Sequence, residues 1–124
     1  MKKLLLFFFT FLLPMIANAD DSGSCGDNVT WTFDKSIHKL TISGSGPMDN
    51  YGQSIESGAV LYPRPWESHL NDIHVVEIYE GVTSIGINSF GQCENLTSVI
   101  IPNTIVNIDR YAFHECSVSF PNFG

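Results

Sequence analysis

Four histidines and three cysteines are the residues of this 124-residue chain best suited to hold a metal or act on a substrate. A zinc site needs ligands that converge within bonding distance of one ion, which sequences achieve with H-x-x-x-H or paired Cys/His spacings. His38, His69, His74 and His114 match no such spacing, so each reads as a surface or turn residue. A serine hydrolase of the strand-elbow-helix type needs Gly-x-Ser-x-Gly to expose its nucleophile, and the chain has none. Gly44-Ser45-Gly46-Pro47 is rich in glycine, but it opens no helix and lacks the lysine of a phosphate-binding loop. It reads as a turn. No catalytic site, metal or cofactor is expected.

The cysteines point elsewhere. Cys93 and Cys116 are the last members of two stretches that superimpose at an offset of 23 residues. Ile73, Val76, Ile78, Val82, Ile85, Phe90 and Cys93 fall on Leu96, Val99, Ile101, Ile105, Ile108, Phe113 and Cys116. A period of this size marks a solenoid, in which each repeat buries its apolar side only against its neighbours. Equivalent residues then lie one above the other, roughly 5 Å apart, a spacing that a disulfide can bridge. Cysteine also packs well as a small apolar group, and an unbonded Cys93–Cys116 ladder is the favoured reading of the two. Cys25 has no evident partner.

Within the repeats, Val76 to Tyr79 and Val99 to Pro102 read as short strands with Val76, Ile78, Val99 and Ile101 turned inward. Their neighbours face outward, which makes Glu77, Tyr79, Ser98 and Ile100 the candidate binding residues. Gly86 is replaced by Asp109 in the second copy, which suggests a left-handed or turn conformation there. A shortened third copy, Ser117 to Asn122, follows at an offset of 19 and leaves an apolar edge through which the chain could self-associate.

Upstream, Val29 to Phe33 and Lys39 to Ser43 read as a β-hairpin around Asp34 to His38. A polar leader, Asp20 to Gly26, precedes it, an irregular loop from Met48 to Tyr62 follows, and Trp66 to Leu70 suits one helical turn. Trp31, Tyr51, Tyr62 and Trp66 all fall in this lead-in. Their rings either stack on a sugar or plug the open end of the first repeat, and the plug is favoured because a solenoid core must be covered.

Lys2-Lys3, the apolar run Leu4 to Leu13 and Ala17-Asn18-Ala19 have the form of a secretory signal peptide cut after Ala19. The run is too short to span a bilayer. Beyond it, Lys35, Lys39, Arg64 and Arg110 stand against 13 acidic residues, a net charge of −9. Nucleic acid and anionic membranes are poor partners for such a surface. The organisation read from the chain is a signal peptide over 1–19, a leader, hairpin and loop over 20–72, and repeats over 73–124. Asn28-Val29-Thr30 and Asn95-Leu96-Thr97 would accept N-glycans in a eukaryotic secretory pathway.

Gly81-Val82-Thr83-Ser84-Ile85-Gly86, Phe90-x-x-Cys93, Leu96-Thr97-Ser98-Val99-Ile100-Ile101-Pro102 and Ala112-Phe113-x-x-Cys116 resemble the BspA-like leucine-rich repeats. Leu40 to Gly46, Tyr51 and Pro65-Trp66 resemble the lead-in that precedes such repeats. The resemblance implies a β-rich, short right-handed leucine-rich-repeat solenoid, mixed α/β by repeat, with an N-terminal β-hairpin cap. It also implies a secreted or cell-surface module that binds protein on host or neighbouring cells, without catalysis. The alternatives are a structural piece of a larger adhesin and, less favoured, a carbohydrate binder that uses the lead-in aromatics.

Overall fold

Val29-Thr30-Trp31-Thr32-Phe33 and Lys39-Leu40-Thr41-Ile42-Ser43 alternate apolar and polar side chains, so an extended backbone sends one set to each side. In the computed structural model, which describes residues 21–54, 60–61 and 63–118, β1 (Asp21–Gly26), β2 (Val29–Asp34) and β3 (Lys39–Gly44) form an antiparallel meander. Val29, Trp31, Phe33, Leu40 and Ile42 face the interior. The β2–β3 connection is closed by Asp34, whose Oδ1 accepts from the backbone and hydroxyl of Ser36, and by His38 at φ 54°. The hairpin is the expected one. The leader is not: Asp21 to Gly26 forms a strand on the outer edge of β2.

Chain reversal from antiparallel to parallel happens at β3. After β4 (Gly46–Pro47), the short pair β5 (Gln53–Ser54) and β6 (Val60–Leu61), and a 3-10 helix over Glu67–Asp72, the chain returns as β7 (Val75–Ile78). β7 lies parallel to β3, with Leu40 opposite Val76 and Ile42 opposite Ile78. The segment from Met48 to Tyr62, expected as an irregular loop, thus holds a two-stranded antiparallel pair with Gln53 opposite Leu61.

Two further strands, β8 (Val82–Ile85) and β10 (Asn107–Ile108), and between them β9 (Ser98–Ile100), complete the described elements. They sort into a five-stranded sheet, β1-β2-β3-β7-β9, and a three-stranded parallel sheet, β10-β8-β4. The offset of 23 in sequence becomes contact in space: Val76 pairs with Val99, Glu77 with Ile100, Ser84 with Asn107 and Ile85 with Ile108. Backbone geometry repeats as well. Asn88 and Tyr111 share positive φ values of 57° and 60°, as do Gln92 and Glu115 at 64° and 60°.

The core lies between the two sheets. Ile73, Val76, Ile78, Val82, Ile85, Phe90 and Leu96 are closed off from solvent, and each such side chain contributes about 1.5–3 kcal/mol on burial. Phe113, Ile101, Ile105, Ile108 and Val118, in the second coil and the start of the third copy, are only half-buried against that core. Phe90 stacks on Phe113 with centroids 5.5 Å apart, and Trp66 stacks on the other face of Phe90 at 5.7 Å. The Trp66 indole also donates to Ser89 O at 2.9 Å. An aromatic column therefore begins one step before the first sequence repeat.

Gly86 corrects an expectation. Its φ is not in the left-handed region; a Cβ there would overlap Asp49 O, so glycine is required by close approach to the segment after β4. The conformational requirement falls two residues later, at Asn88. Asp49 is held in this place by donating its own N–H to Cys25 O at 2.8 Å. The signal segment 1–19, Tyr62 and the third copy beyond Val118 lie outside the described residues.

Candidate functional site

Period-two alternation places one side chain in two of the five-stranded sheet on its outer face. Registered across the strands, Thr32, Thr41, Glu77 and Ile100 form one row, and Asp34, Lys39, Val75 and Ser98 another. Tyr79, just past β7, follows Glu77 at the same spacing, and its N–H donates to Ile42 O at 2.9 Å, which continues the β3–β7 pairing by one residue. Glu77, Tyr79, Ser98 and Ile100 are thus brought together on a continuous ribbon. Tyr79 and Ile100 retain 37% and 48% of their surface, enough to give up apolar area to a partner.

Glu77 is already engaged. Lys39 Nζ sits 2.5 Å from Glu77 Oε1, and that hydrogen bond holds the ammonium pKa above its ordinary value against the opposing effect of burial. The pair is half-exposed, so its stabilising effect is small. It does fix two charges in the middle of the ribbon. On the hairpin side, Thr30 and Ser43 meet hydroxyl to hydroxyl at 3.5 Å. The face is therefore hydroxyl-rich over β2 and β3, charged at its centre where Lys39 meets Glu77, and mixed beyond it, with Tyr79 and Ile100 beside Ser98.

The hairpin half of this surface was missed by reading the repeats alone. Its signal is present in the sequence, because the polar positions of Thr30-Trp31-Thr32 and Lys39-Leu40-Thr41 must face opposite to their buried neighbours. Three of the four lead-in aromatics, by contrast, are interior. Trp31, Tyr51 and Trp66 are at most 5% exposed, with the first two set edge-on to Trp66 at 5.7 and 5.6 Å. These three rings are packed against protein, which leaves none of the three for a sugar to stack on.

The histidines do more than decorate the surface. His69 stacks on Phe33 at 4.5 Å while its Nε2 lies 3.1 Å from Asp21 Oδ2, which ties the 3-10 helix to β1 and β2. His38 stacks on His74 at 4.2 Å and bonds Asp72 O through Nδ1 at 3.1 Å. Three of four imidazoles thus seal the seam between hairpin and repeats. Among the described residues, no three or more His, Cys, Asp or Glu side chains are grouped to hold a metal.

All three thiols are free. Burial, with Asp49 adding, pushes the Cys25 thiol up to about 12. Cys93 and Cys116 share a side-chain hydrogen bond, which raises the buried Cys93 and lowers the half-buried Cys116; the Arg64 guanidinium favours the thiolate form of both. Arg64 is itself buried, donating to Asn88 O and Gly91 O and forked onto the Glu67 carboxylate. No described helix is long and apolar enough to cross a membrane.

This geometry has known counterparts. Residues 68–123 match the family model described as a BspA type leucine rich repeat region (6 copies). No curated protein matches the chain. Among solved structures, a leucine-rich repeat protein from Eubacterium ventriosum ATCC 27560 is similar over 81% of the chain, with a TM-score of 0.68 and 26% identity. The chain spans 25% of that protein's length. Parallel pairing at a constant offset, the stacked phenylalanines and the family match agree: residues 68–123 of this chain are similar to BspA-type leucine-rich repeats.

Proposed function

We propose that the chain is a short right-handed solenoid of 23-residue repeats, capped by its N-terminal hairpin, which binds protein through the outer face of the five-stranded sheet. The observation that carries this reading is the aligned ribbon of Glu77, Tyr79, Ser98 and Ile100, continued by the hydroxyls of β2 and β3. Leucine-rich repeats of this family suggest a protein-binding role. Lys2-Lys3, Leu4 to Leu13 and Ala17-Asn18-Ala19 support export, and so a secreted or cell-surface adhesion module without catalysis. The proposed units are the signal peptide 1–19, the cap 20–72 and the repeats 73–124.

The test uses labelled protein from Asp20 onward, applied to intact cells and read as a saturation curve. Saturable binding that weakens at least tenfold in Tyr79→Ala/Ile100→Ser, and is unchanged in Val106→Ser away from the ribbon, supports the reading. Equal binding by all three proteins, or no saturable binding, overturns it.

A second reading is favoured by the end of the stack. β9 has no described neighbour beyond it, and Val106 and Tyr111 are 84% and 58% exposed. A structural piece of a longer adhesin that associates through this end would run as an oligomer in a size measurement, whereas the independent module would run as a monomer.

A further inference from the structure

The protein-binding reading leaves one chemically distinct place unused, the contact between Cys93 and Cys116. The segments 90–93 and 113–116 run side by side: Phe90 N–H donates to Ala112 O at 2.8 Å, Gln92 N–H donates to His114 O at 2.6 Å, and the Gln92 amide donates to Glu115 Oε1 at 3.2 Å. Three separate contacts thus hold the two cysteines at the same height of adjacent coils. Disulfides need Cα atoms about 4.4–6.8 Å apart, a range that includes the spacing of neighbouring strands. The two thiols have different access. Cys93 is closed off, while Cys116 is half-buried and donates to Phe90 O at 2.8 Å.

From this arrangement we infer that Cys93 and Cys116 form an oxidisable dithiol that takes low-molecular-weight disulfides as its oxidant, with Cys116 as the attacking group, and closes into a bond between consecutive coils. In the first step the Cys116 thiolate attacks one sulfur of the reagent disulfide R–S–S–R, forming Cys116–S–S–R and releasing RS⁻. In the second, Cys93 loses its proton to solvent and its sulfur attacks Cys116 Sγ, releasing the second RS⁻. Two protein thiols are oxidised by two electrons, and the reagent is reduced to two thiols that take up the two protons.

Local electrostatics agree with these roles. The hydrogen bond from Cys93 and the nearby Arg64 guanidinium hold Cys116 below its ordinary value, and a thiolate is the form that attacks. Once Cys116 is capped by R, Cys93 no longer faces a competing thiolate, and Arg64 still favours its ionised form. Cys25 is an internal control: it is fully buried at the end of β1, and burial and Asp49 suppress its ionisation. The inference does not depend on the proposed partner face, because neither cysteine lies on the ribbon.

Reduced, folded protein from Asp20 onward is incubated with glutathione disulfide at neutral pH, quenched with an alkylating agent and weighed by mass spectrometry. The expected product is lighter by two hydrogens, keeps one alkylatable thiol that maps to Cys25, and melts roughly 10 °C higher than the reduced form, as closing a loop of this length predicts. Cys93→Ser should trap a glutathione adduct on Cys116, and Cys116→Ser should form neither adduct nor bridge. Three free thiols after incubation, a lasting adduct on the unsubstituted protein, or a bridge that includes Cys25 would each overturn the inference. Measurement on the unsubstituted protein stands even if a serine variant fails to fold.

Discussion

Truncating the aromatic column at two heights separates a packed stack from a merely periodic sequence. Phe90 is fully buried between Trp66 at 5.7 Å and Phe113 at 5.5 Å. A Phe→Ala change in a closed core costs about 3–5 kcal/mol, and each lost ring contact removes about 0.5–1.5 kcal/mol beyond buried area. Phe90→Ala therefore falls at the top of the range, about 5 kcal/mol. Phe113 stacks on Phe90 but is half-buried rather than closed off, which brings Phe113→Ala down to about 2 kcal/mol. Total stability for a domain of this size is about 5–15 kcal/mol, so Phe113→Ala remains folded while Phe90→Ala approaches the limit. Urea titration followed by tryptophan emission reads both, because Trp66 lies directly on Phe90. Phe90→Leu keeps part of the packing and supplies a midpoint if the alanine variant does not fold. Equal losses at the two positions, or a larger loss at Phe113, would refute the idea that the first coil is packed more tightly than the second.

Two other outcomes follow from close approach and from buried thiols. Gly86→Ala places a Cβ on Asp49 O and should destabilise by about 2 kcal/mol or more, whereas a Cβ on Gly46 meets nothing, so Gly46→Ala carries only the cost of its positive φ, about 1 kcal/mol; thermal melts should rank them in that order. Cys25 remains protonated in the native state up to about 12, while an unfolded cysteine ionises near 8.5. Its contribution to stability is therefore complete below about pH 8.5 and declines by about 1.4 kcal/mol per pH unit above it. Urea midpoints should fall between about pH 9 and 10, and Cys25→Ala should flatten that decline; the same slope with and without the thiol would count against the assignment.

The repeats were legible because seven equivalent positions carry the same side-chain class, and the hairpin because its alternation has period two. β1 was not legible. Asp21-Ser22-Gly23-Ser24 has neither β-branched residues nor alternation, and it is extended because the free edge of β2 supplies hydrogen-bond partners, while Gly23 leaves room over the Trp31 indole. β8 and β10 show in the sequence only as apolar positions, since Val82 and Ile85 are three apart and only pairing with neighbouring coils makes them extended. In the sequence Trp66 has the character of a plug over the first repeat. Its place in the phenylalanine column was hidden because it precedes Phe90 by 24 residues and no other member of the repeat accompanies it. The outer ribbon could be drawn from Glu77 to Ile100, but the neutralisation of Glu77 depends on a lysine 38 positions upstream, which only the parallel β3–β7 junction brings near.

Because Val76 meets Val99, Ser84 meets Asn107 and Ile85 meets Ile108 at one constant interval, this part of the chain can change length only in whole turns. Adding or deleting a single residue inside a paired strand such as Ser98–Ile100 would turn its interior side chains to solvent. Copying 23 residues would give each newcomer the same neighbours as its parent. Gene duplication is thus the natural unit of growth here, and the hairpin, joined at a different interval, is the one end that cannot be multiplied in this way.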